Sequence, residues 1–200
     1  MKRHPYSANG VKLSFWLQEF TRTVTMLEDD VSWEEIRRLA LEENLYATSS
    51  TERAKRIYLT MRDRMKDMDP SFIGLYLESD QTTQKLIVLT GILESDTLLF
   101  DFVHDIIRDK LIIGDLELRD SDIRIFFAGK QRDDARAAGW YDETLHRLGA
   151  YYKTMLLEAG VLKKEGTKWT IQPPLPEHAL EIWWNEHGYE PVYRALLGVS

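Results

Sequence analysis

The chain contains no cysteine, which excludes disulfides, thiolate metal sites and thiol catalysis. Long apolar runs are missing too: the longest, Leu86 to Leu93, is about eight residues, far short of a membrane span. The opening MKRHPYSANG is positively charged but has no apolar stretch, which argues against a secretory leader. A soluble, cytoplasmic protein with no membrane partner is the expectation. There is no glycine-rich phosphate loop, no nucleophile elbow and no HExxH. The histidines (His4, His104, His146, His178 and His187) never pair at ligand spacing on one helix. Asp101, His104 and Asp105 share a helical neighbourhood that in principle holds a metal, but such a set reads first as the solvated face of an amphipathic helix. No enzyme activity, cofactor or metal is expected from these residues.

What remains is ordinary globular material, 200 residues with 44% hydrophobic and 30% charged side chains, enough for one large domain or two small ones. The net charge of −7, taken alone, argues against a nucleic-acid partner. Its distribution does not. Residues 1–68 carry 12 Lys/Arg against 11 Asp/Glu, and residues 119–172 carry 10 against 8. Residues 69–118 carry only 3 against 10, and residues 173–200 carry 1 against 4. The acidity thus lies in the middle and at the tail, and two flanking regions are left to meet phosphate.

Apolar spacing predicts a nearly all-helical chain. A first helix spans roughly 11–28, with Leu13, Trp16, Leu17, Phe20, Val24 and Leu27 on one face. Ser32 with Glu35 forms a capping box for a short second helix, and Ser49 with Glu52 forms another that opens a helix of about 49–67. Asp69-Pro70 starts a central region with further helices at about 80–93 and 95–112, the latter ended by Gly114. Residues 115–120 make the best domain boundary. A helix at about 120–129 and a short element at 131–138 follow. The stretch 141–172 then reads as an amphipathic helix, a glycine stop at Gly160 and a hairpin turning through Lys163-Lys164-Glu165-Gly166. Pro173-Pro174-Leu175-Pro176 punctuates the chain before a last helix at 177–187 bearing Trp183 and Trp184. The expected fold is all-α: a helical bundle with helix-turn-helix elements and a C-terminal winged helix with a short β-hairpin wing. The expected units are an N-terminal helical domain, 1–115, with a helix-turn-helix-like 32–67, a winged helix at 116–172 and a helical tail at 173–200.

Two basic elements are candidates for DNA contact. In the 49–67 helix Arg53, Lys55, Arg56, Arg62, Arg64 and Lys66 outnumber Glu52, Asp63 and Asp67, and Ser50 and Thr51 bring hydroxyls and free N–H groups to its N-terminus, an anion-favouring end. Short helix, turn, basic helix is the helix-turn-helix order. The plain alternative is that these arginines pair with the acidic centre and solvate a bundle. The second element combines Thr144, Arg147 and Lys153 on the 141–159 helix with Lys163, Lys164 and Lys168 on the hairpin. Arg132 and Arg136 lie just before it. Lysines on a hairpin suit phosphate and fix position rather than sequence. Trp169 beside them reads as packing the hairpin onto the helix.

The stretches YSANG, STERAKRIYLTMRDRM, LLFDFVHDIIRDKLIIGDLELRDSDIRIFF and LGAYYKTMLLEAGVLKKEG resemble the BrxA family of the BREX bacteriophage-defence systems, over most of the chain. The resemblance rests on order and spacing, since none of these stretches is a catalytic signature. It implies an all-helical protein with helix-turn-helix elements and some likeness to the antitermination factor NusB. It also implies double-stranded DNA binding without known catalysis, within a system that methylates host DNA and blocks phage replication. The expected function is therefore a non-catalytic DNA-binding accessory protein. A protein–protein adaptor within the defence complex and a structured-RNA binder are the alternatives.

Overall fold

The computed structural model describes residues 3–199 and is mostly helical, with one small sheet. An N-terminal arm holding a 3-10 turn, Asn9–Lys12, leads into α1 (Leu17–Glu28). The apolar spacing starts this helix near residue 11, and the structure delays it to Leu17. The cause is tertiary. The Ser14 and Phe15 carbonyls accept from the Arg64 guanidinium at 2.7 and 2.6 Å, and Trp16 turns left-handed at φ 57°.

Ser32 caps α2 (Trp33–Glu42) by accepting from the Glu35 amide, as its spacing predicts. The cap of α3 (Thr51–Met65) is Ser50 rather than Ser49, its Oγ accepting from the Arg53 amide at 3.2 Å. The expected inner stripe of α3 (Ala54, Ile57, Tyr58, Met61 and Met65) is buried. Asp69 accepts from the amide and hydroxyl of Ser71 at the start of α4 (Phe72–Glu78). The central helix is α5 (Gln81–Ser95), buried continuously from Leu86 to Glu94 because α1, α3, α4 and α9 all pack against it. Asp96 then caps α6 (Thr97–Phe102), which runs through a π-helical stretch, Val103–Arg108, into α7 (Asp109–Ile113). Left-handed Gly114 (φ 76°) ends this rod. Hydrophobic spacing alone gives one uninterrupted helix here.

A two-residue strand, β1 (Glu117–Leu118), precedes α8 (Asp120–Asp133). It falls in the stretch read from sequence as a boundary, since two residues are too few to alternate visibly. A 3-10 turn, Ala137–Gly139, joins α8 to α9 (Asp142–Glu158), which Gly160 (φ 80°) terminates. The hairpin is β2 (Leu162–Glu165) and β3 (Lys168–Ile171), so Lys163 and Lys164 lie on a strand and Gly166-Thr167 makes the turn. All pairing is antiparallel in the order β1-β3-β2, with Leu118 opposite Trp169 and Lys164 opposite Trp169 on the other side.

The tail folds back. It holds α10 (His178–Glu186) and an additional helix, α11 (Glu190–Leu197), beyond the one expected. Trp184 Nε1 donates to Thr90 Oγ1 on α5 at 2.9 Å, and α11 lies along the π-helical stretch. Buried residues from every region belong to one hydrophobic cluster.

Candidate nucleic-acid interface

The outer face of α3 is set by the same periodicity that buries its inner stripe. Thr51, Arg53, Lys55, Arg56 and Arg62 are exposed, and Ser50 is exposed at the cap. Among the described residues none of these four cations makes an ion pair, so the alternative in which they neutralise the acidic centre is not the arrangement adopted. The two remaining cations of this helix are occupied. Lys66 pairs with Asp63, and Arg64 is buried, where loss of hydration lowers its pKa to about 10. Arg64 therefore holds the arm through two carbonyls and sits over the Trp16 ring, which corrects its reading as a solvent-facing charge.

The second element is more mixed. Among the described residues, Arg147 on α9 and Lys168 on β3 are exposed without ion pairs, as is Arg136 in the loop before α9. Lys163 pairs with Glu165 at 2.7 Å and Arg132 with Asp133 at 2.8 Å. Lys153 is only 18% exposed and reaches Asp120 at 2.9 Å. Its ammonium and that of Lys164 lie on the Trp169 ring, each 5.2 Å from the centroid, so Trp169 packs the hairpin onto α9 as its position suggests. Thr144 is half-buried near the start of α9. That first turn carries Asp142 and Glu143, carboxylates that suit the helix dipole but repel phosphate there. The exposed cation of α9 is Arg147, on its flank. Arg124 of α8 was not singled out from sequence. It is exposed, has no ion pair among the described residues, and lines a groove of about 470 Å³ between α8 and α9, with His146 and Lys153. Its signal in the sequence is a charge at the edge of the buried Ile123–Phe127 stripe.

A cleft of about 540 Å³ beside α3 is lined by Arg56, Leu59 and Asp63 of that helix, by residues of the arm, by Asp96, and by Tyr151 of α9, and it takes in none of the cations of α9 or the hairpin. The arm is anchored beside it. Asp101, expected on a solvated face, is buried and accepts from Arg3 (2.5 and 3.0 Å), Tyr6 (2.5 Å) and Lys130 (3.0 Å). Burial works to raise its pKa, yet these hydrogen bonds outweigh burial and hold it below the ordinary carboxylate value. His104 bonds Asp105 at 2.9 Å. Among the described residues no His, Asp or Glu group has the clustering a metal needs, and no helix is long and apolar enough to cross a membrane.

A family model for BrxA matches residues 4–188, from the arm through both basic elements to α10. The chain belongs to the BrxA family. This BrxA-family chain is 33% identical over 141 residues to the BREX protein BrxA of Bacillus cereus (strain H3081.97), an alignment covering 70% of each. Its fold is similar to the crystal structure of an uncharacterized protein from Magnetospirillum magneticum, with a TM-score of 0.80 over 96% of this chain and 98% of that one. At 18% identity, that likeness is one of fold alone.

Proposed function

We propose that this BrxA-family protein is a non-catalytic, double-stranded DNA-binding accessory protein of a BREX phage-defence system, working beside other defence proteins. The observation that carries the reading is the set of cations Arg53, Lys55, Arg56 and Arg62 around the outer side of α3, exposed and, among the described residues, without ion pairs. The order α7, β1, α8, α9, β2, β3, with β1 beside β3, supports reading 116–172 as a winged helix whose wing is the β2–β3 hairpin. The succession of α2 and α3 supports a helix-turn-helix at 32–67. Arginine on α3 suits guanine edges in a groove, and the lysines of the hairpin suit the backbone.

Fluorescence anisotropy on a labelled duplex tests this. With about four to six phosphates engaged, log affinity falls against log salt with a slope of about −4 to −5. The pair Arg53→Glu with Arg56→Glu, and separately Lys164→Glu with Lys168→Glu, each weaken binding by about tenfold or more, while circular dichroism stays native. Unchanged affinity in both pairs, or a flat salt response, overturns the assignment. Preference for RNA of matched length in competition would move it to structured RNA. Cleavage products with divalent metal would end the non-catalytic reading.

A further inference from the structure

The outward side of α7 and α8 carries apolar side chains that none of the described residues covers. Ile113 is 74% exposed, Ile125 69% and Ile112 47%, with Leu116 alongside in sequence. Single exposed leucines or isoleucines need no explanation, but a contiguous set marks a contact surface. Ile112, Ile113 and Ile125 line one groove of about 440 Å³, with Ile106 at its base. Asp105 and Ile106 belong to the π-helical stretch, a departure from regular helix that often accompanies function.

The groove is rimmed by acid. Asp105, Asp109 and Asp122 line it, and Lys110 is the only cation among its lining residues. Lys110 is fixed between Asp115 and Asp122 at 2.8 and 3.0 Å and so offers no free positive charge. Asp109 is exposed, and its nearest cation, Arg108, stands 3.8 Å away. Asp105 shares Lys130 with Asp101. The rim therefore stays negative, and a phosphate backbone is repelled from it.

We infer that this groove is the docking site for a cationic amphipathic helix of a partner protein. Isoleucines of two helices lining one groove suit the i, i+3, i+4 anchors of a helix laid into it. Lys or Arg beside those anchors meets Asp105 and Asp109. Charge decides against a second copy of this chain, because a two-fold contact sets the same acidic patch against itself. The inference is independent of the DNA reading, which uses other residues.

The test uses the full chain and a designed fluorescent peptide of about 18 residues, ~27 Å as a helix, with a leucine stripe flanked by lysine. A twin carries glutamate in place of lysine. The lysine peptide is expected to bind about tenfold or more tightly than the twin, with Ile113→Ser plus Ile125→Ser weakening it about tenfold and Asp109→Asn about threefold. Arg53→Glu with Arg56→Glu leaves peptide binding unchanged, which separates this surface from the DNA surface. Equal binding of the two peptides, or indifference to the isoleucine pair, overturns the proposal. A dimer in sedimentation that the isoleucine substitutions dissolve would overturn it in favour of self-association.

Discussion

A carboxylate buried on a helix persists only with cations held against it, and Asp101 has two, together with the Tyr6 hydroxyl. Arg3 and Tyr6 come from the arm and Lys130 from α8, at sequence separations of 98, 95 and 29 residues. No local pattern announces such a site, which is why helical spacing places Asp101 in solvent. Replacing it leaves Lys130, 18% exposed, without its main partner. Asp101→Asn is expected to cost about 2–3 kcal/mol at pH 7 by urea unfolding, below the range for a fully buried pair because Arg3 is well hydrated. The sign of the pH dependence follows from the lowered pKa. The stabilisation is complete above the ordinary carboxylate pKa of about 3.9 and is lost as pH falls through the lower value in the folded state. The asparagine variant should therefore approach the wild type in stability as pH falls below that lowered value, and a gap that persists in acid would mean that packing rather than charge is responsible.

Elements are legible from sequence where local spacing alone decides them. The apolar stripe of α3, the Ser32 cap and the Gly160 stop followed by a hairpin are all in place. Legibility fails where a distant group intervenes. Arg64 takes the carbonyls that would have begun α1 early, β1 exists only because β3 is beside it, and the π-helical stretch lies against α11. The crossing of α3 and α5 is of this tertiary kind. A Cβ on Gly91 would stand 2.8 Å from the Arg64 carbonyl oxygen and 3.2 Å from Met68 Sδ. Gly91→Ala is favourable for helix propensity but forces the α3 backbone away, so a net loss of about 1–3 kcal/mol is expected. Thermal unfolding measures it, and a gain in stability would mean that the two helices are not locked at this distance. Because α3 presents the exposed arginines, the same variant should also weaken duplex binding.

At the scale of the molecule, charge and core are organised differently. The cations that sequence assigned to one binding surface divide, once folded, into free ones on α3 and partly engaged ones near the hairpin. Composition counts charges but not their partners, so this division was invisible before the fold. The core, in contrast, is one cluster that takes residues from the N-terminal helices, the 116–172 region and the tail. Trp184 of the tail is fully buried and bonded to Thr90 on α5, itself fully buried, and Tyr189 reaches back to the amide of Asp69. A tail held this way opens with the body. Native-state hydrogen exchange is therefore expected to give the amides of α10 and α11 opening free energies within about 1 kcal/mol of those of α5. Trp184→Ala should lower all three together by about 3–5 kcal/mol, since the cavity lies where they meet. If the tail instead exchanged several kcal/mol more easily than α5, with α5 insensitive to Trp184, residues 173–199 would be an appended unit, and the groove beside the π-helical stretch would have lost the support of α11.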